Sequence, residues 1–402
     1  MKIGIWLDSD YSPTMGGSFS YYDRLITGID NYTFAKELEI CFITTGHKSP
    51  TLKHPVIQLS FSQTIPFFEK LKLHIPLVRS QTRKRIATQT DRLRKDSYAK
   101  TLKENDIRLI FYPIPYLCEL PDFPFIITHW DIGHRSTFSF PEVSEETTFH
   151  DREEFYNNIL PKALLIFTES EAGKQELLRY THLCSNRIKT VPLFAGNCAT
   201  LYSSLQQQLD ILQQFNLEKN EYFYYPAQFW AHKNHHTLLH AFNLFIKDNP
   251  DYKLVFSGSD QGNLNYIKQI VNNLHLNKSV VFAGFVSNII VGTLYRNATS
   301  LIMPTMMGPT NMPLLEAMEL GCPVICSDMA GHREELGDAA IYCDPMSVDE
   351  LLGSMKLMVK HRDEYVESIK IQRENTPFKI EMALERINQY LCVAAAIRSA
   401  WE

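Results

Sequence analysis

The sequence predicts an α/β protein made of two doubly wound parallel-sheet domains. Three observations predict it. Short apolar runs alternate with helical patterns along almost the whole chain, as repeated βαβ units do. The chain has 402 residues, too many for one ordinary core and suited to two domains of about 200 each. The stretch 301–345, LIMPTMMGPTNMPLLEAMELGCPVICSDMAGHREELGDAAIYCDP, joins a buried strand, a polar loop, a helix and a second buried strand. In such sheets ligands bind where strand carboxyl ends meet helix amino termini, because free N–H groups and the helix dipole there favour phosphate.

The elements follow in order. Residues 2–7 (KIGIWL) read as a buried parallel strand. A loop with Gly16-Gly17 leads to a helix over 19–30, and a glycine pair there lets backbone approach an anion closely. Strands are predicted at 38–44 and 56–59. Residues 70–108 are crowded with Lys and Arg, including Arg83-Lys84-Arg85 and Arg94-Lys95. They form either a solvated helix face or a surface for an anionic membrane or a phosphate-bearing acceptor. Strands at 108–113 and 125–128 follow. The second runs into His129, Trp130, Asp131, Gly133, His134 and Arg135, ionisable residues at a strand's carboxyl end. A strand at 163–167, a helix capped by Ser170 and a strand at 188–193 complete seven strands.

The polar, Gln-rich stretch 196–219 reads as a linker with one short helix. The strand pattern restarts at 221–225 (EYFYY) and leads to Gln228 and Lys233-Asn234, then a helix through Phe245. A strand at 252–257 ends in Ser257-Gly258, and one at 280–282 leads to Phe285-Val286. Within the 301–345 unit the loop carries Gly308, Thr310, Asn311 and Met312, and Glu316 lies one turn into the helix. A helix at 348–360 closes the second sheet, and an amphipathic helix runs from 377 to the end.

The bulk numbers exclude several classes. A net charge of -5 and a pI near 6.3 argue against a dedicated nucleic-acid binder. The eight cysteines form no C-x-x-C pair, which argues against zinc and for reduced thiols. No apolar run reaches the ~20 residues of a membrane span, and no G-x-x-x-x-G-K-[ST] marks a P-loop. No signal peptide is read before the first strand, so a cytoplasmic protein is expected, with 70–108 able to rest on the inner face of the cytoplasmic membrane.

The frame G-P-T-N-M-P-L-L-E-A-M-E-L-G-C-P-V resembles the donor-binding signature of family 4 retaining glycosyltransferases of the GT-B fold, E-G-F-G-L-P-x-L-E-A-M-A-x-G-x-P-V. The second Glu of that family's E-x7-E motif falls on Glu316; the first falls on Gly308 and is absent. Lys233-Asn234 matches a G-R-L-x-x-x-K-N pattern, with Gln228 where Arg is usual. Asp131 and His134 match a His-Asp-Leu-x-His pattern, with Trp130 at its first His; Glu142 and Arg152 echo later positions.

The resemblance implies two Rossmann-like domains facing a cleft: an acceptor domain over 1–197, a nucleotide-sugar domain over 198–376, and a helix over 377–402 crossing back to the first. It implies transfer of a hexose from a nucleotide-diphosphate sugar to an acceptor hydroxyl with retention, without a metal or other cofactor, in surface polysaccharide or glycolipid synthesis. The donor would meet Gly16, Gly17, Gln228, Lys233, Gly258, Phe285, Val286, Thr310, Asn311, Met312 and Glu316. Asp131, His134 and Lys233 would serve catalysis, and His129 and Arg135 the glycan or lipid-linked acceptor. A GT-B sugar-nucleotide epimerase and a non-catalytic sugar-nucleotide binder remain as alternatives.

Overall fold

The computed structural model describes residues 1–8, 17–46, 50–62 and 76–400. The first sheet contains β1 (Lys2–Trp6), β2 (Glu39–Thr44), β3 (Val56–Gln58), β4 (Ile107–Tyr112), β5 (Phe125–His129), β6 (Leu165–Thr168) and β7 (Ile188–Thr190). Its order is β3-β2-β1-β4-β5-β6-β7, with every pairing parallel. The second contains β8 (Tyr222–Pro226), β9 (Lys253–Ser257), β10 (Val280–Gly284), β11 (Ser300–Met303), β12 (Val324–Ser327) and β13 (Ala340–Cys343). Its order is β10-β9-β8-β11-β12-β13, also all parallel. In each sheet the order in which strands are added reverses once, between β1 and β4 and between β8 and β11. These switch points are where open α/β sheets leave a crevice for ligand.

The strands read as unbroken apolar runs because helices cover both faces. In β8 the side chains Tyr222, Phe223, Tyr224 and Tyr225 are all fully buried. Their hydroxyls stay satisfied: Tyr222 donates to Leu294 O at 2.7 Å, Tyr225 to Lys233 O at 2.9 Å, and Tyr224 shares a bond with Ser257 Oγ at 2.7 Å.

The first domain's helices include α1 (Gly17–Asn31) and α2 (Pro76–Glu104). After β5 the chain forms α3 (Gly133–Ser136), α4 (Pro141–Ser144) and α5 (Glu146–Glu154), then a π turn over 155–159. Helix α6 (Glu171–Tyr180) follows β6, and α7 (Leu205–Gln214) lies in the linker. The second domain adds α8 (His235–Phe245), α9 (Leu264–Asn273), α10 (Asn288–Asn297), α11 (Met312–Glu319) and α12 (Ala330–Leu336).

Three features differ from the sequence expectation. The short strand β13 was not foreseen. The segment after β5, expected as a loop, is mostly helical. The helix expected to stop at residue 360 continues as α13 (Val348–Asn375), bending at His361, whose φ of -120° and ψ of 23° leave the helical region. The last helix, α14 (Ile380–Ser399), packs on the first domain: Ala35 N donates to Asn388 Oδ1 at 3.0 Å, and Tyr390 lies 5.8 Å from the Phe167 ring.

In the basic stretch, side chains from Lys84 onward are described. Arg94 pairs with Asp91 and Glu119, and Lys95 with Asp91, each at 2.7 Å. Much of this charge is therefore answered locally. Gly16 lies outside the described residues; Gly17 opens α1.

Polar contacts between the domains among the described residues include the following. Glu334 on α12 accepts from the Glu171 and Ala172 amides at the start of α6, both at 2.8 Å. Glu142 on α4 accepts from the His232 amide at 2.9 Å and also meets its ring. Thr310 donates to Glu169 Oε1 at 3.2 Å.

Candidate active site

The loops after β8 and β11 flank the second domain's switch point and bring Lys233 and Asn311 together. Asn234 fixes the first loop. It takes the left-handed conformation (φ 55°), accepts from Thr237 N at 3.4 Å to cap α8, and donates to Pro304 O and Pro345 O at 3.2 and 2.6 Å. Asn234 is thus structural, and it aims the preceding Lys233 across the switch point.

Lys233 Nζ donates to Asn311 Oδ1 at 3.1 Å. The orientation of that amide is set from behind. His332 Nδ1 donates to Ser327 O at 2.8 Å, so its Nε2 accepts from Asn311 Nδ2 at 3.1 Å and turns Oδ1 toward the lysine. Burial lowers the His332 ring to about 4, so it stays neutral in this relay. Burial also lowers Lys233 to about 8, against the opposing pull of Asp131 and Glu142.

Two adjoining cavities meet at Lys233. The larger, about 600 Å³, is lined by Gln228, Lys233, Gly258, Phe285, Val286, Met312 and Glu316, with Phe19 and Ser20 reaching in from α1. Gly258 suits this wall because a side chain there would meet Ala227 O at 2.4 Å. Gln228 donates to Ser259 Oγ at 3.3 Å and accepts from Trp230 Nε1 at 3.0 Å. Glu316 accepts from Tyr295 OH at 3.0 Å. Burial pushes its carboxyl up to about 7, against hydrogen bonds from Cys198, Tyr295 and the Gly196 amide.

The smaller cavity, about 300 Å³, lies between the domains. Its wall includes Tyr21, Trp130, Asp131 and Glu169 from the first domain and Lys233, Gly308, Thr310 and Asn311 from the second. Asp131 Oδ1 accepts from Arg152 Nη1 at 2.7 Å and from Gly133 N at 2.9 Å. Burial would raise this carboxyl, but those contacts outweigh it and hold it below the ordinary range, so it faces the cavity ionised. Gly308 has φ 101°, a conformation a Glu side chain disfavours.

His129, His134 and Arg135, expected at the site, line neither cavity. His129 ends β5 itself, and the helical turn after β5 directs His134 and Arg135 into their own domain. His129 is fully buried, edge-on to Tyr156 at 5.7 Å. His134 Nε2 lies 3.0 Å from Glu153, and burial lowers its ring to about 4. Arg135 bonds Glu153 through Nε at 2.6 Å and Tyr180 O through Nη1 at 2.9 Å.

Sequence reasoning missed Glu169, Tyr21, His232 and the supporting His332. Glu169 follows β6 directly, so the strand-end rule that singled out Asp131 applied to it too. A third hollow, about 560 Å³ and lined by Lys95, Lys103 and Asp122, lies at the opposite, amino-terminal ends of β4 and β5. Among the described residues no cluster of His, Cys, Asp or Glu is arranged to hold a metal, and no helix is long and apolar enough to cross a membrane.

Two doubly wound parallel-sheet domains closing over a lysine at a switch point define the GT-B architecture. The solved structures agree on that fold. The sucrose-phosphate synthase of Thermosynechococcus elongatus superposes with a TM-score of 0.71 over 98% of this chain and 99% of its own, at 18% identity. Anabaena HepE, solved with UDP-glucose, superposes with a TM-score of 0.66 over 98% and 100%, at 17% identity. Residues 207–375 match the family model "Glycosyl transferases group 1". The O-antigen chain mannosyltransferase B of Escherichia coli is 28% identical over 219 residues, 54% of this chain and 57% of that protein. The chain thus spans little more than half the length of this relative.

Proposed function

We propose that the chain transfers a hexose, mannose on the strength of its relative's name, from a nucleotide-diphosphate sugar to an acceptor hydroxyl during surface-polysaccharide synthesis. The observation that carries this reading is the position of Lys233, which with His232 and Met312 lines both a cavity large enough for a nucleotide and an interdomain cavity carrying an ionised Asp131. The nucleotide occupies the larger cavity, with Glu316 accepting from ribose hydroxyls and Phe285 and Val286 beside the base. The diphosphate lies against Lys233 and the amino terminus of α11, where a cation and helix dipole offset the charge that grows as the glycosidic bond breaks. No metal is required for that step.

The sugar extends into the smaller cavity. The acceptor hydroxyl attacks the anomeric carbon from the leaving group's side. As the new C–O bond forms, the bond to phosphate breaks, and the departing phosphate oxygen takes the acceptor's proton. This gives retention without a covalent intermediate. Asp131 accepts from a sugar or acceptor hydroxyl, and domain closure keeps water out. Contact of 70–108 with anionic lipid would hold the enzyme near a lipid-linked acceptor.

The test is thermal-shift screening against UDP, GDP, ADP and dTDP sugars, since a true donor stabilises by mass action. Product analysis by NMR then checks the anomeric configuration. A glycosyl adduct trapped on a side chain by mass spectrometry would refute the front-face step. Nucleotide diphosphate released regardless of acceptor would refute transfer.

A further inference from the structure

Glu169 is an ionisable residue of the interdomain cavity to which the reading above gives no task. It follows β6 (Leu165–Thr168) and is only 5% exposed, yet it forms part of the cavity wall. Its Oε1 accepts from Thr310 of the opposite domain at 3.2 Å. Its Oε2 is buried with no hydrogen-bond partner among the described residues. Asp131, Glu176 and Glu335, the titratable groups that act on it, are all carboxyls. Burial first, and then those neighbours, raise its carboxyl well above the ordinary range, so it stands as a neutral acid.

A neutral carboxyl offers one O–H donor and one acceptor side by side. A sugar hydroxyl offers the same pair and can satisfy both. Leaving a buried polar group unmatched costs about 1–3 kcal/mol, so an occupant that completes the pairing is favoured over one that cannot. A ligand carboxylate would instead sit beside ionised Asp131 and is disfavoured.

We propose that Glu169 is a specificity-determining residue of the smaller cavity, exchanging hydrogen bonds with a ring hydroxyl of an uncharged hexose on the donor. The proposal rests on the nucleotide-sugar reading above and names a contact that reading does not contain.

Calorimetry on the full chain tests it, with GDP and GDP-mannose, and UDP and UDP-glucose, as nucleotide and nucleotide-sugar pairs. The wild type should bind one nucleotide sugar about tenfold more tightly than its parent nucleotide, and Glu169→Ala should erase that increment. Affinity for the nucleotide alone should stay within about twofold, which also shows that the variant is folded. Glu169→Gln, which keeps a donor and an acceptor, should retain most of the increment. Glu169→Met, which keeps the volume without the polarity, should lose it and replaces the alanine variant if that one does not fold. UDP-glucuronate should bind more weakly than UDP-glucose. An unchanged sugar increment in Glu169→Ala or Glu169→Met overturns the proposal and leaves the nucleotide-sugar reading intact. A Gln variant as impaired as Ala also overturns it, because an ionised carboxylate would then be required. Wild type that binds none of the four compounds overturns the functional reading itself, and this inference with it.

Discussion

The loops after β5 and β11 both begin at the carboxyl end of a central parallel strand, and both are rich in polar residues. They deliver very different things to the cleft. After β11 the chain turns through Gly308; Thr310, Asn311 and the first residue of α11, Met312, all line a cavity. After β5, Trp130 and Asp131 line the cavity, and Gly133 immediately opens a helical turn that carries His134 and Arg135 back onto Glu153. Position at a strand end nominates a residue for the site, but the direction of the next turn decides whether it arrives. In the β11 loop Gly308 at φ 101° and Pro309 precede the helix, which starts only at Met312; in the β5 loop the helical turn starts at Gly133, four residues after the strand.

The largest expected effect probes the β11 side. Lys233→Ala should lower turnover by about 10²–10³-fold, the range for loss of one group that stabilises developing charge. Its pH behaviour sharpens the point. The folded-state value of about 8 lies below the ordinary 10.5, so free enzyme loses the cation as pH rises through about 8. Nucleotide affinity should fall above that pH in wild type and stay flat in Lys233→Ala, read by calorimetry across the range. For stability the sign is opposite. The unfolded chain keeps this proton to higher pH, so wild type should gain stability between about 8 and 10.5, and Lys233→Ala should lack that gain. Equal pH profiles for the two proteins would remove Lys233 from the diphosphate.

A smaller effect is expected one step behind the lysine. His332→Ala frees the Asn311 amide to rotate and should weaken nucleotide binding by about tenfold, roughly one charge-assisted hydrogen bond. The expected signature is a Kd change for nucleotide alone, with the pH dependence shifted because Lys233 loses a fixed acceptor. Gly308→Glu, which restores the signature's letter, should not restore any function. It places a side chain at φ 101° and should cost about 1–3 kcal/mol, seen as a lower melting temperature with nucleotide affinity no better than wild type. A gain in turnover would show that the loop can adopt another conformation.

The same contrast explains what the sequence made legible. The two sheets were readable because buried parallel strands leave unbroken apolar runs, as in KIGIWL and EYFYY. Thr310, Asn311, Met312 and Glu316 stood out because the signature segment is contiguous, and Gln228, Lys233 and Gly258 because they follow the carboxyl ends of β8 and β9. Strand β13 escaped because four residues (AIYC) carry little periodicity. Glu169 and His332 escaped because their importance lies in contacts between segments distant in sequence: Glu169 with Thr310, and His332 with Asn311 and Ser327. Gly308 reads in the sequence as a lost carboxylate, and its backbone angle is visible only in three dimensions.

The smallest expected effect probes the β5 side and breaks the comparison if it fails. His134 packs 4.9 Å from the Tyr156 ring and 5.8 Å from Phe149, which makes it part of an aromatic cluster rather than of the cavity wall. With its ring lowered to about 4, it is neutral near pH 7 and carries no charge for Glu153 to answer. Phenylalanine fits such surroundings, so His134→Phe should leave kcat within about threefold of wild type. A proton-transferring histidine at this position would instead cost about 10²–10⁴-fold. Steady-state turnover and a melting curve separate the two readings. Loss of turnover at unchanged melting temperature would place His134 in the chemistry and show that the β5 turn opens during the cycle.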